Sequence, residues 1–285
     1  MLRLEISLRR NLSAILTFVS VAIPVSFLKA QDVFPDKALE AAVRREVFDK
    51  RYNTEPITAD DVKNISQVVG KGKGIKNLEG LQHCKVIMKL DLENNEIVDL
   101  TPIKELKQLQ SIDLSSNKIE SLEPISQLVN SQYLQLSKNA ISDLSPLKDM
   151  SNLRSLYISD NKIKSLEPLA VLKKMWSLNV AGNPIDNLTP ISQLKGLDSI
   201  NLKGCGIKSV EFIRNLNPNF LMLQGNPIED FGPLVEACEA DSKAERRFAQ
   251  FLKLYVDEDA LKNEKNATAF ERLRSFYVKI NPANK

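Results

Sequence analysis

The sequence predicts an α/β fold: a right-handed solenoid with a curved parallel sheet on its concave face, short helical turns on its convex face, and a helical cap at each end. Three observations carry that expectation. Asn95, Asn117, Asn139, Asn161, Asn183 and Cys205 follow one another at intervals of 22 residues, and Asn226 comes 21 after the last of them. Three positions before each stands an apolar residue (Leu92, Leu114, Leu136, Ile158, Val180, Leu202, Leu223), and two positions after each stands an isoleucine, from Ile97 to Ile228. Proline recurs in the second half of the unit, at positions 102, 124, 146, 168, 190 and 233, with Phe212 in its place once. A period of this length marks stacked units, each of which buries its apolar face only against its neighbours.

The elements follow in chain order. Residues 1–30 read as a secretory signal: Arg3, Arg9 and Arg10 precede an apolar run from Leu12 to Leu28, and Ala30 is the small residue before the expected cleavage. Broken by Pro24, that run falls short of the ~20 apolar residues a membrane span needs. Residues 31–69 form an N-terminal helical cap. In "VFPDKALEAAVRREVFDK" Leu39, Val43 and Val47 share a helical face, and Thr58 with Asp61 makes a capping box. Residues 70–235 form the solenoid, beginning with a worn copy, "VVGKGKGIKNLEGL", that has Lys73 at the asparagine position. Within each unit an "LDL"-type triplet alternates as a strand with one buried face should. Thr101, Ser145 and Thr189 stand before proline, as N-caps of the short helical segments with proline at the first helical position. Residues 236–285 form a C-terminal helical cap. Its two helices are "SKAERRFAQFLKLYV", with Phe248, Leu252 and Tyr255 on one face, and "NATAFERLRSFYVKI", with Phe270, Leu273 and Tyr277.

The pattern L-x-L-x-x-N/C-x-I/L at this period is the leucine-rich repeat. After each strand the chain turns, and the turn leaves backbone groups that no strand ladder pairs. An asparagine amide both donates and accepts, so a stacked column of amides can bond those groups. Cysteine is tolerated there because it is small, favours burial and has a weak S–H donor. The interior slot of Cys205 argues against a reactive thiol.

Composition narrows the function. The chain has 39 basic and 36 acidic residues, but removing Arg3, Arg9, Arg10, Lys29 and Glu5 with the leader leaves 35 of each. A formally neutral mature chain lacks the basic excess of a nucleic-acid footprint. Cys84, Cys205 and Cys238 are too few and too scattered for a disulfide framework or a zinc site. His83, the only histidine, adjoins Cys84, but neighbours in sequence on a strand or turn point apart, which excludes a nucleophile–base pair. No catalytic residue, metal ion or cofactor is expected.

The entry helix "FPDKALEAAVRREVF", the segment "ITADDVKNISQVV…GIKNLEGLQHC" and repeats of the form "LxLxxNxIxDLxPLxxL" resemble bacterial exported leucine-rich proteins of the internalin type, over roughly residues 33 to 235. The resemblance implies a rigid surface that binds another protein or a glycan, with no chemistry of its own. The chain departs from the family in having no cell-wall sorting motif and no Gly-Trp-type wall-binding modules. The repeat also resembles the intracellular regulatory subunit of a protein phosphatase, a reading the leader opposes.

Register places three columns of side chains on the open strand face: Lys89, Ser111, Tyr133, Ser155, Ser177, Ser199; Asp91, Asp113, Gln135, Tyr157, Asn179, Asn201; and Glu93, Ser115, Ser137, Ser159, Ala181, Lys203. Tyr133 and Tyr157, with Trp176 just before the fifth strand, form the candidate contact patch, because Tyr and Trp anchor interfaces. Trp176 has a competing role, plugging the gap between turns. Asp91, Glu93 and Asp113 make one end acidic and are candidate partner-binding residues with the aromatic patch; carboxylates also suit calcium, but a flat sheet without a chelating loop favours a solvated face over an ion site. Phe220 and Met222 fall in the same columns and are expected beneath the C-terminal cap. The resulting expectation is a monomeric exported module, in the periplasm or the medium, that binds an unidentified protein partner, or less readily a glycan, and neither nucleic acid nor membrane. The alternatives are an envelope structural protein without a ligand and a non-catalytic regulatory subunit of an enzyme.

Overall fold

Among the described residues ten strands pair in chain order into one sheet, and every pairing is parallel. They are β1 (Gln67–Val69), β2 (Lys89–Asp91), β3 (Ser111–Asp113), β4 (Tyr133–Gln135), β5 (Ser155–Tyr157), β6 (Ser177–Asn179), β7 (Ser199–Asn201), β8 (Phe220–Met222), β9 (Lys253–Tyr255) and β10 (Lys279–Ile280). The computed structural model describes residues 33–244 and 248–283, so the expected signal at 1–30 lies outside the described residues. Among the described residues five α-helices accompany the sheet: α1 (Lys37–Arg44), α2 (Ala59–Val62), α3 (Gly232–Ser242), α4 (Glu258–Lys262) and α5 (Glu264–Ser275).

From β1 to β7 each strand is followed by a 3₁₀ turn, such as Thr101–Ile103, Ser145–Leu147 or Glu167–Leu169, and after β8 the return is the helix α3. A short period leaves no room for more. The apolar positions Leu90, Leu92, Ile97, Leu100, Ile103, Leu106 and Leu109 are all at most 1% exposed, so the repeat closes on a continuous core between sheet and turns. Strands spaced ~4.8 Å apart, backed by bulkier turns, bend the stack toward the strand side.

The capping of these turns differs from the expectation. Thr101, Ser145 and Thr189 occupy the first position inside the turn and proline the second, while Leu100, Leu144 and Leu188 sit at the cap without a side-chain bond. The capping acceptor lies one residue further back. Asp99 Oδ1 accepts from Thr101 N (2.8 Å) and Thr101 Oγ1 (2.6 Å), Asp143 Oδ1 from Ser145 N (2.8 Å), and Asn187 Oδ1 from Thr189 N (2.9 Å). In the intervening repeats Ser121, Ser165 and Ser209 accept from Glu123, Glu167 and Glu211 N–H in the same way. A side chain bonding the N–H two residues on is the local turn that Asp, Asn and Ser favour. The solenoid therefore carries a second polar column, made of Asp, Ser and Asn.

At the N-terminus α1 buries Leu39 and Val43; it ends at Arg44, and Val47 is buried in the connection beyond it. The capping box of α2 is present, with Asp61 N donating to Thr58 Oγ1 and Thr58 N to Asp61 Oδ2. Asp36 joins cap to solenoid. Its Oδ1 accepts from Ala38 N (2.9 Å) and Leu39 N (3.1 Å), and its Oδ2 from Lys76 N (2.8 Å) and Asn77 N (3.1 Å). Burial alone would raise this carboxyl, but the four N–H donors hold it below its ordinary 3.8. A depressed carboxylate contributes stability that is complete above the ordinary value and is lost as pH falls through the lowered folded value. Asp36→Ala is therefore expected to cost about 1.5–3 kcal/mol near neutral pH. Thermal melts across the acid range should show that difference shrinking below the ordinary carboxylate value.

The C-terminal segment corrects the sequence reading most. The sheet already starts at Gln67, just ahead of residue 70, and it continues past residue 235 with β9 and β10, so 236–285 is not wholly helical. Within the predicted helix "SKAERRFAQFLKLYV", the described part contains β9. There Leu252, Leu254 and Val256 are buried, and Lys253 and Tyr255 alternate outward. Pairing to the open edge of β8 decides the matter: the alternation satisfies one buried face of a strand, and Lys253 N finds Asn219 O at 2.8 Å. The helix on this side is α3 instead, which buries Leu234, Val235 and Cys238. In α5, Phe270 and Leu273 are buried as expected, but the helix ends at Ser275, and Tyr277 lies beyond it with φ +66° and 76% exposed.

Candidate functional site

The asparagine column can be followed bond by bond. Asn117 Nδ2 donates to Leu114 O of its own repeat and Leu92 O of the preceding one (both 3.0 Å), while its Oδ1 accepts from Ile97 N (2.9 Å). Asn139, Asn161 and Asn183 repeat this arrangement. Cys205 keeps only the donor half, with Sγ 3.3 Å from Val180 O. The N–H that an asparagine there would have received, that of Ile185, bonds Asn183 O at 2.9 Å instead. Lys73 and Cys205, the two positions without an asparagine, are each flanked by glycines at positive φ, Gly72 and Gly74, and Gly204 and Gly206. That backbone brings the N–H of the substituted residue itself to the next amide, so Asn95 Oδ1 accepts from Lys73 and Ile75, and Asn226 Oδ1 from Cys205 and Ile207. A missing amide is thus offset by a glycine pair and a doubly used neighbour.

Such a scaffold fixes the register of the open face. Lys89, Ser111, Tyr133, Ser155, Ser177, Ser199, Phe220 and Lys253 stand in one row, and Asp91, Asp113, Gln135, Tyr157, Asn179, Asn201, Met222 and Tyr255 in the next. Tyr133 and Tyr157 meet diagonally across β4 and β5, ring centroids 5.5 Å apart and tilted by 43°. Tilted pairs of this kind add about 0.5–1.5 kcal/mol beyond burial and stiffen the patch. Ser177 Oγ donates to the Tyr157 hydroxyl at 3.3 Å. Burial, then the Asp113 and Asp91 charges, push the Tyr133 phenol up, so it remains a donor at neutral pH.

The acidic trio is also brought together. Oxygens of Asp91, Glu93 and Asp113 lie within 4.8 Å of one another. Lys71 reaches over them, 3.2 Å from Asp91 Oδ2 and 2.9 Å from Glu93 Oε2. Trp176 is not brought to the tyrosines: it is 57% exposed at the edge before β6, and among the described residues it makes no ring contact. It therefore plugs no gap between turns.

Phe220 and Met222 are not covered by the C-terminal cap. Both remain half-buried on the face, continued by Tyr255, and the Lys253 ammonium lies 4.7 Å from the Phe220 ring centre. This second apolar cluster is hidden in a sequence reading that makes 253–255 helical; the signal available is the alternation in "FLKLYV".

The three thiols are buried. Burial pushes Cys84 and Cys238 up to about 12 and Cys205 up to about 11, and all three are free. His83 lies on the 3₁₀ turn Leu81–His83, beside the fully buried Cys84. A thiol reagent at pH 8 should label none of the three in the native protein and all three in denaturant; fast native labelling would contradict the buried column.

Two family models of leucine-rich repeats match the chain, over residues 132–171 and 85–141. No curated protein matches its sequence. Among solved structures, internalin C2 of Listeria monocytogenes is 28% identical with a TM-score of 0.52, covering 72% of this chain and 91% of that one. InlF, another internalin of Listeria monocytogenes, is 23% identical with a TM-score of 0.61, covering 90% and 78%. The leucine-rich-repeat ectodomain of the Arabidopsis thaliana receptor kinase GASSHO1/SCHENGEN3 is 21% identical with a TM-score of 0.51, covering 57% and 21%. The chain is a leucine-rich-repeat solenoid, and within that class it is internalin-like. No helix among the described residues is long and apolar enough to cross a membrane.

Proposed function

We propose that the chain is an exported, monomeric binding module that holds a protein partner against the concave face of its sheet and performs no chemistry of its own. The observation that carries this reading is the Tyr133–Tyr157 pair, fixed by packing and half open at the centre of a ten-strand face. Rigid aromatics with a polar tip supply contact area at low entropic cost, and a strand face held by polar columns loses little freedom on binding. The acidic end and the Phe220–Met222–Tyr255 cluster flank this centre and give the face a direction. Export rests on the leader at 1–30 and on the likeness to internalin C2. A glycan is the second choice of ligand, since half-open aromatic rings also suit sugar rings.

A photo-crosslinking residue placed at Gln135, on β4 two residues from Tyr133 and paired in register with Tyr157, tests the face against the same residue at Val171, exposed on the convex side. The expected result is one discrete protein adduct from position 135 and none from 171. The same adduct from 171 alone would move the site to the convex side.

A further inference from the structure

We propose that the C-terminal half of the concave face, from β6 to β9, recognises carboxylates and so receives an acidic segment of the protein partner. This rests on the concave-face reading above and adds to it the chemistry of what binds and the direction in which it lies.

The chain just after each strand decides which polar atoms the face offers. At one position of the repeat the side chain folds back onto the N–H two residues on. Asp113 Oδ1 accepts from Ser115 N at 3.0 Å, and Gln135 Oε1 from Ser137 N, Asn179 Oδ1 from Ala181 N and Asn201 Oδ1 from Lys203 N at 3.1 Å each. Only the oxygen of an amide can meet an N–H, so these bonds fix which way each amide points. The acceptors of Asn179 and Asn201 are spent inside the protein. Their Nδ2 groups, on half-buried side chains, have no protein acceptor among the described residues and remain as donors on the open face. The two residues pair in register across β6 and β7, which sets them one strand spacing, about 4.8 Å, apart.

Cations extend this row of donors. Lys203 is exposed two residues beyond Asn201, and the Lys253 ammonium lies over the Phe220 ring. Neither has a carboxylate partner among the described residues. The two carboxylates bordering this half are already engaged: Asn219 Nδ2 donates to Asp198 Oδ1, and Gly225 N to Asp257 Oδ2 at 2.7 Å. At the other end of the face the same fold-back position holds Asp113, close to Asp91 and Glu93. One end therefore repels an anion while the other offers unspent donors and unpaired cations. A carboxylate only accepts hydrogen bonds, and those it takes from amides and ammoniums are charge-assisted and strong. A neutral sugar hydroxyl both donates and accepts, so the two ends would not sort it in this way.

Fluorescence anisotropy of labelled decaglutamate with the full folded chain at low salt tests the assignment, with a glycine–serine decamer as the neutral control. The informative variant carries Asn179→Asp and Asn201→Asp together. It keeps the oxygens that the Ala181 and Lys203 N–H groups need, as Asp113 does on β3, so it should fold, but it replaces two donors by negative charge. The expected result is binding by the wild type that weakens with salt, and binding roughly tenfold or more weaker in the double variant, where like charges face each other. Lys148→Glu, exposed on the opposite side, is expected to bind as the wild type does. If the aspartate variant does not fold, Lys203→Gln with Lys253→Gln takes its place, with a loss of binding expected again. No binding of decaglutamate by the wild type up to about 1 mM overturns the proposal, as does equal binding by the folded double variant or an equal loss in Lys148→Glu. The two readings fail separately. Decaglutamate bound at β6 to β9, with partner capture indifferent to Tyr133→Ser and Tyr157→Ser, would sink only the aromatic centre. Tyrosine-dependent capture that the aspartate variant retains in full would sink only the carboxylate assignment.

Discussion

Asn183→Ala is expected to lower the unfolding free energy by about 3–5 kcal/mol, a large effect for one surface-distant polar residue. Asn183 is 1% exposed. Its Nδ2 lies 2.9 Å from both Ile158 O and Val180 O, and its Oδ1 takes the Ile163 N–H at 3.0 Å. Alanine removes all of these at once in a place where water cannot substitute, and each stranded buried group costs about 1–3 kcal/mol. Asn183→Cys should cost less, because a thiol can keep a donor bond as Cys205 does toward Val180 O at 3.3 Å. It cannot accept from Ile163, so a clear loss remains. Asn139→Ala should also cost less than Asn183→Ala, since Asn139 is only partly buried. Urea unfolding of the three variants gives the order directly; equal midpoints for Asn183→Ala and wild type would mean that the column bonds nothing of consequence.

The second large effect is expected at the C-terminal end. Phe270 on α5 and Phe231 before α3 are both 1% exposed, with ring centres 4.8 Å apart. Phe270→Ala should cost about 3–5 kcal/mol through lost burial and the cavity left behind. In a stacked-repeat fold each unit contacts mainly its neighbours, so the damage should stay local. Hydrogen exchange should show Lys279 and Asn281, whose N–H groups bond Leu252 O and Leu254 O, losing protection while the amides of β3 to β6 keep theirs. Uniform loss along the sheet would contradict a solenoid whose end packs as a separate layer.

The solenoid was legible because a fixed period sets everything downstream of it. Once Asn95 to Asn226 are aligned, the strands, their register and the outward rows follow, and the pairs Ser111↔Tyr133 and Gln135↔Tyr157 stand where the repeat places them. What the period does not cover was harder. Strand β9 is three residues long, and Phe248, Leu252 and Tyr255 also fit a helical spacing. The strand wins because β8 presents an unpaired edge, a tertiary fact that no local pattern contains. The turn caps were missed by one position for a different reason. Threonine or serine before proline fits an N-cap, whereas here the preceding Asp99, Asp143 or Asn187 reaches forward to the same N–H.

The candidate site divides along the same line. Tyr133, Tyr157 and the acidic trio fall on the periodic part, and their rows were readable in advance. Lys71 over the carboxylates was not, because it comes from the worn first copy, where the asparagine position holds Lys73. Phe220, Met222 and Tyr255 form a surface only because β9 continues the sheet.

The measurement that bears most directly on the central claim is capture by immobilised protein, residues 31–285, from an envelope extract. A second column would carry Tyr133→Ser and Tyr157→Ser together. Both side chains are only half-buried on the open face, so the double variant should fold and melt close to the wild type. The account predicts one protein retained by the first column and lost from the second. Equal retention by both columns, with the double variant fully folded, would contradict a binding face centred on the tyrosines.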